Sequence, residues 1–326
     1  MSATGINALR CALRGTGAVL LAALAMAAAG ATGEPITIWS DGVRLAGNLW
    51  KPEGMAAAEK RPAILMAHGW GGTKAHLNQA YAPQFVAMGY VVLTFDYRGW
   101  GESDGKLVRT GAKPQGDMDE YVLRVREVRT IVDPLDQLED IRNAYYYLIG
   151  EPNVDPERLA MWGSSLGGGL ALQTAATLPG FAVLISQIGA VNTQAGTNVT
   201  DERNPLGDAA MNRWRIARAR GEVPPFPGAE TSVEGLQGNP DWPEYVRYDP
   251  FSTRDALTAA TLIIDAANEE LFDIGQNGAA LYAAIKDRIP ARYETLPGNH
   301  YDIYRGEGYQ ASLALQKAWL EEHLPL

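Results

Sequence analysis

Cysteine is nearly absent from this 326-residue chain: the single one, Cys11, falls in its first segment, so disulfides and thiolate metal sites are excluded from everything after it. Histidine is scarce as well. His68, His76, His300 and His323 are the only four, so any chemistry that needs an imidazole has few candidates. Positive charge is in the minority, with 28 Lys and Arg against 38 Asp and Glu, a net charge of -10 and no long basic run. A nucleic-acid backbone or an anionic membrane surface would repel such a chain, and neither is an expected partner. Internal repeats are lacking, and the apolar run at 18–29 is too short and too alanine-rich to make a good bilayer span.

That apolar run has another reading. Arg10 and Arg14 precede it, no acidic residue occurs before Glu34, and the small residues Ala29 and Ala31 follow it at the spacing of a cleavage site. Residues 1–31 are therefore expected to be a signal peptide, which predicts a periplasmic or secreted protein with no stable membrane insertion after cleavage. Cys11 lies before the run ends, on the wrong side for lipid attachment. With 46% hydrophobic and 20% charged residues, 32–326 can bury a full core.

From residue 63 onward, short apolar runs alternate with helical patterns, which predicts an α/β fold: a mainly parallel sheet with helices on both faces. Strands are expected at 36–39 and 45–50, joined as a hairpin through Ser40-Asp41-Gly42, then at 63–67, 91–95, 159–162, 182–186, 261–264 and 291–295. Pro134 should open a helix over 135–148, and Asp155-Pro156-Glu157 should turn into the next strand. Two stretches break the alternation. Residues 106–133 are charged and glycine-rich, with a short helix expected around 119–127, and 190–255 is too long for a plain connection and predicts a lid or cap. In that insertion Trp214, Trp242, Tyr245 and Tyr248 make either an aromatic substrate wall or the lid's own core, and Arg213, Arg215, Arg218 and Arg220 read as a solvated helix face.

Gly163-Ser164-Ser165-Leu166-Gly167 fits G-x-S-x-G at the point where strand 159–162 should turn sharply into a helix. A serine held there has no room for side chains two residues before or after it, so Ser165 is the candidate nucleophile. A hydroxyl needs a base to take its proton. His300 follows the last predicted strand, where ligands gather in open α/β sheets, whereas His323 sits at an exposed helix end and His68 belongs to a glycine-rich turn that it holds by hydrogen bonds. The acid that orients the base should lie between Ser165 and His300 in the chain. Asp265, Glu269, Glu270 and Asp273 all follow strand 261–264; Glu269 is preferred because it is past the strand end, Asp265 is the alternative, and the others read as solvated loop charge. Charge developing on a substrate oxygen needs two N-H donors, for which Leu166 and Trp70 are the candidates.

Taken together, His68-Gly69-Trp70-Gly71-Gly72, Asp96-Tyr97-Arg98-Gly99-Trp100-Gly101-Glu102-Ser103, the Gly163 to Gly167 motif, Glu269-Glu270-Leu271 and His300-Tyr301-Asp302 give the chain its resemblance. It resembles the α/β-hydrolase superfamily, and within it the dienelactone-hydrolase-like and acyl-esterase-like branch. The resemblance implies a triad of Ser165, Glu269 and His300, no cofactor or metal, and a bracing role for Asp96, Arg98 and Ser103. Dienelactone hydrolases proper use a cysteine nucleophile, so Ser165 points instead to ester or thioester hydrolysis of a small molecule; relatives usually carry Asp where Glu269 stands. Peptide-bond or carbon-carbon bond cleavage, or ligand binding without turnover, are the alternatives on the same fold.

Overall fold

The computed structural model describes residues 33–56, 58–112, 115–116, 120–195 and 204–326, so the expected signal segment 1–31, Cys11 included, lies outside the described residues. Eight strands build one sheet: β1 (Glu34–Ser40), β2 (Val43–Trp50), β3 (Arg61–Ala67), β4 (Val91–Phe95), β5 (Val154–Ser164), β6 (Phe181–Gln187), β7 (Ala260–Ala266) and β8 (Ala291–Leu296). Their order is β1-β2-β4-β3-β5-β6-β7-β8. β1 and β2 pair antiparallel, β2 pairs antiparallel with β4, and every later pair is parallel. The β1-β2 turn is the expected one: Asp41 and Gly42 both hold positive φ, at 49° and 78°, which matches the twist of the two strands.

The described helices are α1 (Lys74–Ala80), α2 (Ala82–Ala87), α3 (Pro134–Gly150), α4 (Leu166–Thr177), α5 (Asp208–Ala219), α6 (Trp242–Tyr245), α7 (Gly278–Ile285) and α8 (Gly306–His323). They cover the sheet on both sides, which is why its inner strands β3, β4, β6 and β7 are largely apolar. Along β3, Ala63, Leu65 and Ala67 join one core with Ile141 of α3, Leu170 of α4 and Leu281 of α7. Ile64 and Met66 join the other, with Leu77 of α1, Phe85 of α2 and Leu320 of α8. Asp133 starts α3 by accepting the Leu135 and Asp136 N-H groups at 2.9 and 3.2 Å, with Pro134 in the first turn where no N-H is needed.

Three local expectations are corrected. No helix forms over the described part of 119–127; Val125–Val128 pairs antiparallel with Lys106–Arg109, because ladder hydrogen bonds satisfy this backbone better than a single isolated turn. Asp155-Pro156-Glu157 lies inside β5: Val154 faces Arg61 and Leu159 faces Ala63, so 155–158 bulge outward, with Asp155 still accepting the Glu157 N-H at 3.2 Å. The arginines of α5 are not all solvated. Arg218 donates to both Asp241 oxygens at 2.9 and 3.0 Å, and Arg215 donates to the Pro243 carbonyl at 2.7 Å, which fastens α5 to α6.

The segment that follows β6 is further tied to the body of the sheet domain. Asn239–Pro240 pairs in parallel with Ile131–Val132, and the Asp241 N-H donates to Val132 O at 3.0 Å. Tyr248 is buried in the core, where a side chain at Gly169 would meet its hydroxyl at 2.7 Å.

Candidate active site

Ser165 joins the end of β5 to the start of α4 with φ 56° and ψ -126°, a region that residues with a side chain seldom occupy. The conformation is held from three sides: the Ser165 N-H donates to Gln187 O at 3.0 Å, and its carbonyl accepts from Gly168 and Ala190 at 2.8 and 3.0 Å. The flanking glycines have a steric reason. A Cβ on Gly163 would strike the Gly167 carbonyl, one on Gly167 would lie 2.6 Å from His68 O, and one on Gly69 would lie 2.9 Å from the Ser165 Cβ.

His300 opens the single-turn helix His300–Tyr304 just after β8, at the end of the sheet where Ser165 emerges. Its ring is buried, and Nδ1 lies 2.9 and 2.8 Å from the two Glu269 oxygens. The two side chains are only 2% and 1% exposed, so this is a contact shielded from water. With Nδ1 donating to the carboxylate, Nε2 is left as the acceptor.

Of the four candidate carboxylates, Glu269 is the one bonded to the His300 ring. Asp265 is fully buried within β7 against Gly278 and Ile263, with no well-formed hydrogen bond to either oxygen. Burial pushes its carboxyl up to about 7, opposed by the Tyr293 hydroxyl and reinforced by Glu269. Glu270 is solvent-exposed as expected, and it also accepts the His300 backbone N-H at 2.8 Å, which anchors the turn that carries the ring. Asp273 is engaged as well, accepting from the Gly275 N-H at 2.8 Å and from Gln276 Nε2 at 2.9 Å, and these bonds hold it below the usual carboxylate range.

Ser165, His300, Trp70 and Leu166 all line one cavity of about 760 Å³. Leu166 is the first residue of α4, so its N-H has no partner within the helix. His68, beside Trp70, is a structural residue. Its Nδ1 is 3.1 Å from Gly69 O, its carbonyl accepts the Tyr97 hydroxyl at 3.3 Å, and burial lowers its pKa to about 4, which keeps it neutral. His323 differs from its expected exposure: the ring packs on Trp319 at 3.9 Å between centroids. The loop after β4 is braced as the resemblance implied. Asp96 accepts the Lys74 and Glu102 N-H groups at 2.7 and 2.9 Å, Ser103 Oγ donates to Asp96 O at 2.6 Å, and Arg98 donates to Asp140 at 2.8 Å.

Of the Trp and Tyr residues of the insertion, Trp242 and Tyr245 reach the cavity, where they meet Trp70; Trp214 packs with Arg218 and Tyr248 belongs to the core. Among the described residues no Asp or Glu lines the cavity, and the one Lys or Arg that does is Arg305, which is bonded to Asp302 at 2.8 Å. Among the described residues no three His, Cys, Asp or Glu side chains are grouped to hold a metal ion.

Beneath the cavity runs a polar chain that sequence reasoning did not find. Ser164 Oγ lies 2.7 Å from the Tyr304 hydroxyl and accepts from Gln187 Nε2 at 3.2 Å, while Gln187 Oε1 accepts from Ser312 Oγ at 2.8 Å and Gln316 Nε2 at 2.7 Å. Its one sequence signal is a run of polar side chains, Ser164, Gln187, Ser312 and Gln316, that end up almost wholly buried.

Residues 41–302 match the family described as X-Pro dipeptidyl-peptidase (S15 family). The chain belongs to this family of α/β hydrolases. It is 27% identical over 287 residues to an uncharacterized 31.7 kDa protein in the traX-finO intergenic region of Escherichia coli, a match covering 81% of this chain and 92% of that one. It is 36% identical over 148 residues to the quorum-quenching protein AidA of Acinetobacter baumannii, covering 45% of this chain and 41% of that one. Among solved structures, the α/β hydrolase GrgF from a Penicillium species matches with a TM-score of 0.67 at 18% identity, over 90% of this chain and 100% of that one. A butyrate-bound esterase from Thermogutta terrifontis matches with a TM-score of 0.60 at 18% identity, over 91% of this chain and 96% of that one. Sheet order and family together make this protein a hydrolase of the α/β fold.

Proposed function

We propose that this hydrolase cleaves carboxylic ester or thioester bonds of small molecules through an acyl-enzyme on Ser165. The observation that carries the reading is the buried contact of Glu269 with His300, whose ring lines the same cavity as Ser165 on its strained turn. In this reading Ser165 Oγ attacks the carbonyl carbon while His300 Nε2 takes its proton, and Glu269 stabilises the imidazolium that forms. The N-H groups of Trp70 and Leu166 hold the oxyanion. When the tetrahedral intermediate collapses, His300 returns the proton to the departing alkoxide or thiolate. Water then attacks the acyl-enzyme, gives its proton to His300 and releases the acid, and Ser165 recovers its hydrogen.

The family description raises a peptide reading, since removing dipeptides from a free N-terminus requires a group that binds an ammonium ion. A carboxylate would do this most readily in a partly desolvated site, and none of the described residues that line the cavity is one. An uncharged acyl group suits its walls better. The insertion that supplies Val233, Gln237, Trp242 and Tyr245 to the cavity acts as the lid in this reading. Residues 1–31, with Arg10 and Arg14 ahead of an alanine-rich run, support export to the periplasm or beyond, which N-terminal sequencing of protein from fractionated cells would test.

Turnover of p-nitrophenyl butyrate by the wild type and its loss in a folded Ser165→Ala variant is the expected result; equal turnover by the two would overturn the reading.

A further inference from the structure

Trp70, Trp242 and Tyr245 form a three-ring corner in the wall of the cavity. Ring centroids are 6.4 Å apart for Trp70 and Trp242, 5.7 Å for Trp70 and Tyr245, and 5.5 Å for Trp242 and Tyr245, with tilts of 50°, 54° and 72°. Rings crossed in this way present both faces and edges to the space between them, the arrangement into which a further ring packs best. Each of the three is only half-buried although all line the cavity, so apolar surface remains for a ligand to cover.

The corner is also fixed in place before any ligand arrives. The Trp70 indole N-H donates to Gln237 O at 2.8 Å, which commits its polar edge to the insertion and leaves the ring for packing. Trp242 and Tyr245 sit on α6, which is pinned by the Arg218 to Asp241 pair, by Arg215 donating to the Pro243 carbonyl at 2.7 Å and by the Asp241 N-H donating to Val132 O at 3.0 Å. A rigid wall loses little entropy on binding and discriminates by shape.

Trp70 further sets the distance to the reacting carbonyl. Its backbone follows Gly69, which lies against Ser165, while its indole forms one side of the corner. A group seated in the corner is therefore joined to the reacting carbonyl through a short linker, on the scale of one tryptophan side chain.

We infer that the three rings form a subsite for an aromatic group held a few bonds from the scissile carbonyl, so that the preferred substrates are uncharged arylalkyl or arylalkenyl esters or thioesters. This deepens the acyl-transfer reading and rests on it for the chemistry. It does not rest on it for binding. The test compares methyl phenylpropanoate with methyl heptanoate, of similar length, on the wild type and on Trp242→Leu and Tyr245→Leu variants checked for folding by thermal unfolding. The expected result is a kcat/KM ratio of about tenfold in favour of the aryl ester, the gain that one or two ring contacts supply, falling toward one in either variant. A wild-type ratio of one or below overturns the subsite, and that measurement needs no variant to fold. A ratio that stays high in both folded variants overturns it too. If the wild type hydrolyses neither of these nor p-nitrophenyl butyrate, the acyl-transfer reading fails; with or without that failure, where neither methyl ester is turned over, calorimetric titration of Ser165→Ala with the same two esters decides the subsite separately: tighter binding of the aryl ester supports it, and equal or weaker binding overturns it.

Discussion

Ser164 Oγ and the Tyr304 hydroxyl lie 2.7 Å apart, and that one hydrogen bond joins the strand that carries Ser165 to the turn that carries His300. Neither side chain is a member of the proposed triad, but each is next to or one turn from a member. Burial raises the Tyr304 pKa above its ordinary value, so the phenol stays protonated and available as donor. Tyr304→Phe and Ser164→Ala should each lower kcat about tenfold with KM little changed, and the double variant should be no worse than Ser164→Ala alone, which already removes the shared bond together with the one from Gln187. A double-mutant cycle on kcat measures this; strict additivity would mean that the bond does not link the two residues' effects.

Glu269 and Asp265 should separate cleanly in activity. Glu269→Gln removes the charge that faces His300 Nδ1 and should cost roughly three to four orders of magnitude in kcat. Asp265→Asn leaves that contact in place and should remain within about fivefold of the wild type, a factor worth roughly 1 kcal/mol. Steady-state kinetics on one ester checks both.

Asp265 should also shape the dependence of stability on pH. Its folded-state carboxyl titrates at about 7, above the value of roughly 4 expected in the unfolded chain. The unfolded chain then loses this proton first as pH rises, so the group's contribution is fully present below about pH 4 and is lost on the way to pH 7. Asp265→Asn should therefore be more stable than wild type at pH 8, with the gap closing as pH falls to 4. Urea unfolding across that range is the measurement, and a gap that widens toward low pH would contradict the assignment.

Gly167→Ala should be among the most damaging small substitutions, because the added methyl meets the carbonyls of Ala67 and His68 rather than a flexible side chain. A loss of about 2–3 kcal/mol in unfolding free energy is expected, with activity falling further than stability because Ser165 is displaced. Chemical denaturation and ester turnover on the same sample read both effects.

Strands β3 to β7 were legible in the sequence because helices cover both faces of the sheet, which forces runs such as Ile64, Leu65 and Met66 to be apolar throughout. The strand-to-helix turn at Ser165 was legible for a steric reason, since only glycines at 163 and 167 allow it. The preference for Glu269 over Asp265 followed from the strand end: a residue still inside β7 points where the strand's alternation sends it, and Asp265 is sent toward Gly278. What was not legible depends on closeness that no local pattern encodes. Glu270 meets the His300 backbone across 30 residues and Ser164 meets Tyr304 across 140. The Lys106–Arg109 and Val125–Val128 pair has a polar composition with no clean period, so a helix and a strand read alike there.

The proposed chemistry stands or falls on Ser165 being an activated nucleophile, and labelling with a fluorophosphonate followed by peptide mass spectrometry checks this without any choice of substrate. One adduct is expected on the wild-type peptide containing Ser165, and none on folded Ser165→Ala. Folded wild-type protein that takes no label, or a Ser165→Ala variant that still takes it, would contradict that role for Ser165.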